Sequence, residues 1–367
     1  MQHMSTNSFE RLAKHLDDLP NGFPPAPDGA ELRLLEKLFA PEEADLAAEL
    51  RLTLETPAQI AARLAEGGAA VDARELQTRL KGMARKGLIN AGRTEGGLGY
   101  GALPFVVGIY EAQAGRVDAE LARLFEAYYR QAFSQMLAVQ PAFHRVIPVN
   151  ESVKVDMAIR PYESATDLIK GAQSWGVLDC ICRVQKSLIG EGCHHPVDVC
   201  MALGYKPGVF DHSPVIRSLT MDEALATLQR AADAGLVHSV SNVCEEVTYI
   251  CNCCTCACGI LRGVVESGLP NVVARSAFLN RADEDLCIGC EACLDACQFG
   301  ALALVEGLVQ VKEIRCVGCG VCIPVCPEGA LGLVRRSPED TLSIPRNEED
   351  WRLQRSNARG IDLGKVL

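Results

Sequence analysis

Residues Leu286–Gly300 read LCIGCEACLDACQFG, and residues Arg315–Gly329 read RCVGCGVCIPVCPEG. Cys287, Cys290, Cys293 and Cys297 of the first stretch recur as Cys316, Cys319, Cys322 and Cys326 in the second, each displaced by 29 positions. The apolar tails ALALV (Ala301 to Val305) and ALGLV (Ala330 to Val334) keep the same register. Four cysteines and a tail sharing one offset mark an internal duplication, since unrelated cysteines would not keep a common spacing.

The chain has 367 residues, enough for two or three domains with cores of their own, so cysteine is not needed to staple a small fold. Its eighteen cysteines therefore call for another explanation. The N-terminal MQHMSTNSFERLAKHLDD has no apolar targeting core, and no apolar run approaches the length of a membrane span. The expectation is a cytoplasmic protein without a membrane span, in a reducing compartment where clustered thiols bind metal. A formal charge of -11 argues against a nucleic-acid carrier and suits docking to a basic patch on a partner protein.

Outward from the duplication, the sequence predicts an α+β, multidomain chain. Residues 1–29 end in the Pro- and Gly-rich PNGFPPAPDG and read as an arm or linker. Residues 30–145 turn helical: Leu32, Leu34, Leu35, Leu38 and Phe39 form an amphipathic stripe, and Pro41 restarts a helix through Leu54. Thr56 caps a short helix with Pro57 at its first position and its end near Glu66, and Asp72 caps a longer one to Lys86. The glycine-rich NAGRTEGGLGYGA then predicts a two-stranded hairpin. This order resembles a winged helix-turn-helix domain over about residues 30–104, with a helical extension in which Phe125, Tyr128, Tyr129 and Phe133 are core. Arg74, Arg79, Lys81, Arg85 and Lys86 on the longer helix make DNA a possible partner, but the acidic chain and the lack of a basic arm favour a solvated face.

Residues 146–271 are expected to form a helical, cysteine-rich iron-sulfur domain. RVIPVN and SVKVDMAIRPY read as short strands or links, Ser164 to Trp175 and Met221 to Gly235 as helices. Cys180, Cys182, Cys193 and Cys200, then Cys251, Cys253, Cys254, Cys256 and Cys258, place nine thiols in three tight groups. A metal is the simplest reason for such density, and thiolates select zinc or iron-sulfur clusters. Nine thiols exceed one tetrahedral zinc site, so a third [4Fe-4S] cluster is expected, zinc being the alternative. Its expected ligands are Cys180 or Cys182, Cys193, Cys200 and one of Cys251, Cys253 and Cys254. Arg183 would either hydrogen-bond the cluster sulfur and offset its charge or form a surface ion pair. His194 and His195 are read as surface or supporting groups, and Cys244 as a free core thiol.

The spacing C-x2-C-x2-C-x3-C is the bacterial ferredoxin run, and residues 272–336 resemble a two-cluster ferredoxin domain with a pseudo-twofold repeat. The resemblance implies that Cys287, Cys290 and Cys293 with Cys326 hold one [4Fe-4S] cluster, and Cys316, Cys319 and Cys322 with Cys297 the other. Gly289 and Gly318 let each loop turn tightly. One departure is Gln298, which stands after Cys297 where Pro327 follows Cys326. The series RVIPVN, CICR, CHHPVDVC and ICNCCTCACGILR resembles multi-cluster ferredoxin-like proteins of anaerobic metabolism. Residues 337–367 read as a polar, extended tail.

The resulting expectation is an electron-transfer protein that passes low-potential electrons to or from a partner oxidoreductase, as a component more than as an independent enzyme. No nucleotide fingerprint or nucleophile-base signature points elsewhere. The alternatives are a redox-sensing winged-helix transcription regulator and a reductase whose third cluster is catalytic.

Overall fold

The computed structural model describes residues 7–68, 72–152, 157, 159–266, 272–341 and 343–367. Five of the eleven residues of SVKVDMAIRPY, expected as a short strand or link, lie outside them. The chain divides into two compact units, residues 1–136 with 352–367, and residues 137–351. All eighteen cysteines fall in the second.

The first unit begins with a helix where the sequence suggests an arm. In α1 (Ser8–Asp17), Asn7 accepts a hydrogen bond from the Phe9 amide at 3.2 Å, and Leu12 and Leu16 are buried. The Pro- and Gly-rich run starts only after this amphipathic stretch and hides it from a composition reading. Helices α2 (Ala30–Leu38) and α3 (Pro41–Ala47) follow, the latter shorter than expected. In α4 (Pro57–Glu66), Thr56 and Gln59 exchange hydrogen bonds as a capping box. In α5 (Ala73–Lys86), Asp72 accepts from the amides of Arg74 and Glu75. Gly87, at φ +73°, ends α5 where an added Cβ would stand 2.7 Å from that of Ala112.

The hairpin β1 (Asn90–Thr94) and β2 (Gly97–Gly101) is antiparallel, and Glu55 bridges to Tyr100 alongside it. Helix α6 (Ala119–Tyr128) then runs through a π turn (Tyr129–Phe133) into the short α7 (Ser134–Met136). Phe125, Tyr128, Tyr129 and Phe133 are all buried, as a core role requires.

The second unit is built on a sheet, which corrects the helical expectation for the middle of the chain. Strands β3 (His144–Val146), β4 (Ser174–Leu178), β5 (Cys200–Gly204), β6 (Arg217–Leu219), β7 (Val237–Ser241) and β8 (Tyr249–Cys253) form six antiparallel neighbours in the order β3-β7-β8-β5-β4-β6. These strands are short, and β8 carries cysteine at alternate positions instead of an apolar alternation, so no period of two stands out. Helix α8 (Ala165–Gly171) stops before Trp175, which lies in β4 and donates from Nε1 to the Ile169 carbonyl at 2.7 Å. Helices α9 (Ile181–Leu188), α10 (Met221–Asp233) and α11 (Leu261–Glu266) complete this part. Helix α10 carries a Thr220–Glu223 capping box.

The duplicated region pairs β9 (Phe278–Ala282) with β12 (Leu331–Arg335) and β10 (Leu302–Val305) with β11 (Leu308–Val311). The first repeat has a short helix, α12 (Ala292–Ala296). The matching stretch of the second repeat is turns, and Pro324 there lacks an amide to donate.

The C-terminal segment forms a helix, α13 (Glu348–Arg359), where an extended tail is expected. Trp351 is buried in the second unit and donates to the Ala142 carbonyl at 2.9 Å. Arg355 and Arg359 lie in the first unit, where Arg355 donates to the Pro20 and Met136 carbonyls and Arg359 pairs with Asp17. A single buried face under a charged sequence makes this helix hard to see from composition.

Candidate metal centre

The two ferredoxin-type runs bring their eight thiols into two crossed sets. Cys326, Cys290 and Cys287 all act on Cys293 as like charges, and the four line one cavity with Leu286, Ile288 and Val309. Cys319, Cys297 and Cys316 act in the same way on Cys322. Each run's fourth cysteine therefore sits with the other run's first three, as the resemblance implies. Backbone amides face the sulfurs: Val309 to Cys287 at 3.4 Å, Ala301 to Cys297 at 3.3 Å and Ala330 to Cys326 at 3.3 Å. The Asn280 side chain donates to Cys322 at 3.2 Å. Donors aimed at sulfur favour the thiolate that a cluster needs.

The loops depend on glycine where expected. Gly289 has φ +68° and a Cβ there would lie 2.4 Å from the Gly307 carbonyl oxygen. Gly318 has φ +71° and its Cβ would lie 2.1 Å from the Phe278 carbonyl oxygen and 2.2 Å from Ser276 Oγ. Neither position accepts a side chain without displacement of neighbours.

The two sets differ in their surroundings. Cys290 is exposed, Ile288 and Leu286 beside it are 65% and 48% exposed, and Asp283, Glu284, Asp285, Glu291 and Asp295 around them are all exposed. The second loop is instead held by the rest of its unit. Ser276 Oγ donates to the Gly318 carbonyl at 2.7 Å, the Val149 amide to the Cys319 carbonyl at 2.9 Å, and Arg336 to the Cys316 carbonyl at 2.6 Å. Burial pushes the Cys319 thiol up to about 12 and raises Cys322 as well.

The middle thiols, expected as one ligand set, divide into two. Six of them close a ring of side-chain hydrogen-bond neighbours, running from Cys180 through Cys182, Cys258, Cys253, Cys251 and Cys200 back to Cys180. The sheet builds the ring. Cys251 and Cys253 alternate along β8 and share a face. Cys200 starts β5 opposite Leu178, two residues before Cys180, and Met201 beside it pairs with Ile250 on β8. Buried Asn252 fixes the corner, donating to the Val199 carbonyl at 2.6 Å and meeting His238 Nδ1 at 2.6 Å. Hydrogen bonds from neighbouring thiols hold Cys253 down at about 7 and Cys180 well below the ordinary thiol range, while Cys182, Cys200 and Cys251 are raised chiefly by theirs.

Cys193 and Cys254, both among the expected cluster ligands, leave that ring and meet Cys256 and His195 instead. His195, read from the sequence as a surface or supporting group, has its Nδ1 3.8 Å from Cys256 Sγ in the folded turn. Cys244 belongs to neither group and is half-buried.

Arg183 is buried and donates to the carbonyls of Pro196 and Asn252. Burial works against its charge, but Cys180 and Cys254 outweigh it and hold the guanidinium above its ordinary value. It therefore faces both middle groups and is not a surface ion pair. Gln298, the departure from the proline pattern, bridges the end of the first run, next to Cys297 of the buried set, to the middle: its Oε1 accepts from the Thr255 amide at 2.9 Å and its Nε2 donates to the Gly235 carbonyl at 2.5 Å. A proline could make neither bond.

Among known proteins, residues 286–330 match the family model of the 4Fe-4S dicluster domain. No curated protein and no solved structure matches the chain. No helix among the described residues is long and apolar enough to cross a membrane. The crossed thiol sets and this match together support an iron-sulfur protein with a 4Fe-4S dicluster domain at residues 286–330.

Proposed function

We propose that the chain passes low-potential electrons between a partner oxidoreductase and a third [4Fe-4S] cluster held by the six-thiol ring, with the two ferredoxin-type clusters between them. The observation that carries this reading is the unequal placement of the two crossed sets. Cys287, Cys290, Cys293 and Cys326 form the solvent-facing end, and Cys316, Cys319, Cys322 and Cys297 form the interior end. When bound, [4Fe-4S] clusters supply one-electron chemistry at low potential.

The residues of the chain do the rest. Exposed Asp283, Glu284, Asp285, Glu291 and Asp295 favour a partner with a basic face around its own redox centre. Amides and Asn280 compensate thiolate charge at the sulfurs. Gln298 joins the loop of Cys297 to Thr255, between the ring and the Cys193 group. Arg183 places one positive charge against both middle groups. DNA binding finds less support, because Arg79 and Lys86 on α5 are already paired with Glu75 and Glu43.

Replacing Cys180, Cys200 and Cys251 together with Ala, which leaves the ring three thiols against the four that a [4Fe-4S] cluster takes, tests the assignment of the ring. Electron paramagnetic resonance of the reduced variant should lose one cluster signal and keep the two coupled ferredoxin-type signals. An unchanged spectrum and iron content would remove the third cluster from the ring.

A further inference from the structure

Outside the ring, four donors converge on dimensions suited to a single ion. The Sγ atoms of Cys193, Cys254 and Cys256 and a ring nitrogen of His195 all lie within 4.8 Å of one another. Cys193 and Cys254 Sγ stand 3.9 Å apart, and Cys256 Sγ and His195 Nδ1 3.8 Å. A tetrahedral ion with metal-sulfur bonds of about 2.3 Å holds its donors roughly 3.8 Å from each other. A cubane attaches each thiolate to a different iron and so spreads its donors farther apart.

We propose that Cys193, His195, Cys254 and Cys256 bind one zinc ion as a closed structural site, separate from the iron of the same unit. Three thiolates and one imidazole are a common structural zinc donor set, and four protein donors leave no position for substrate. On binding, the three thiols release their protons to solvent and His195 gives the lone pair of neutral Nδ1; nothing is oxidised or reduced. The complex carries a net charge of minus one, and Arg183, hydrogen-bonded to Cys254, offsets it. The ion ties the loop of Cys193 and His195 to the turn after β8. That turn lies between Cys253 and Cys258 of the ring and carries the Thr255 amide that meets Gln298. The site rests on its own donor geometry and stands whether or not the ring holds a cluster.

The test is zinc and iron counted in one sample of anaerobically purified full-length chain, with X-ray absorption at the zinc edge. The wild type should hold one zinc per chain with three sulfur and one nitrogen neighbours. The Cys193→Ser, Cys256→Ser double variant should lose affinity for zinc by more than about 100-fold, beyond the effect of disturbing groups around a ligand, with iron unchanged. His195→Ala should weaken zinc, and His195→Cys should restore it with a four-sulfur shell. Should the double variant fail to fold, Co²⁺ added to the zinc-depleted wild type should give the visible absorption of a tetrahedral thiolate site. Iron lost in step with the two thiols, zinc retained at full content by the double variant, or no tetrahedral cobalt spectrum would each overturn the proposal.

Discussion

The two cysteine runs are near copies in sequence and opposites in setting. The set of Cys287, Cys290, Cys293 and Cys326 opens to solvent beside Ile288 and five carboxylates, whereas the set of Cys316, Cys319, Cys322 and Cys297 is clasped by Ser276, Val149 and Arg336. Duplication supplies the same cysteines twice; what surrounds them decides which set faces solvent and which faces the interior. The same contrast extends to Gln298 and Pro327, the residues after each run's last cysteine. Pro327 keeps the expected residue, and Gln298 uses its amide to reach Thr255 and Gly235.

The largest expected effect tests what the two sets share. A Cys287→Ala, Cys316→Ala variant removes a ligand from each, and iron analysis should show a loss of about eight iron per chain, four for each cubane. Full iron content would contradict the crossed assignment.

The next effect tests how they differ. Gly289→Ala and Gly318→Ala each place a side chain in left-handed backbone at about 1–2 kcal/mol. Gly318 also meets the Phe278 backbone and Ser276 inside the unit, while Gly289 meets only the hairpin turn at Gly307. Denaturation of the holoprotein should therefore show Gly318→Ala to be the more destabilised; equal losses would dissolve the distinction between a clasped and an open loop.

Gln298→Ala should cost about 1–3 kcal/mol by leaving the Thr255 amide and the Gly235 carbonyl without their partner. Iron content should stay at wild-type level, and freeze-quench spectroscopy should show slower electron movement from the ferredoxin-type clusters to the ring. An unaltered rate would make the Gln298 bridge purely structural.

A last test separates the ferredoxin-type region from the sheet by pH. His144 in β3 is held down at about 4 by burial. A depressed folded value means that its neutral form contributes fully above its ordinary 6.5 and that this contribution, at most about 3 kcal/mol, is lost as pH falls toward 4. Residues 286–330 contain no histidine. Amide exchange should thus rise in β3 and β7 over that range, and a His144→Gln variant should flatten the dependence.

What the sequence made legible was whatever it repeated or capped. The ferredoxin-type spacing of the cysteines implied the crossed sets through the resemblance it carries, and Thr56 and Asp72 placed two helix starts where they occur. The six-stranded sheet escaped because β5 and β8 devote strand positions to cysteine. Helix α1 escaped because its apolar face is narrow within a charged sequence, and α13 because the face it buries is made of Trp351, Arg355 and Ser356. The division of the middle thiols could not be read at all: Cys253 and Cys254 are adjacent in the chain, yet they face different groups because successive residues leaving a strand point to opposite sides.

The central claim, a surface set, a buried set and a ring that each hold iron, is tested most directly by iron and sulfide analysis of the anaerobically purified wild-type chain. The account predicts about twelve iron per chain, with acid-labile sulfide to match, from three [4Fe-4S] clusters. A content of eight or fewer in fully reconstituted protein would contradict it and leave the ring of Cys180, Cys182, Cys200, Cys251, Cys253 and Cys258 without a cluster.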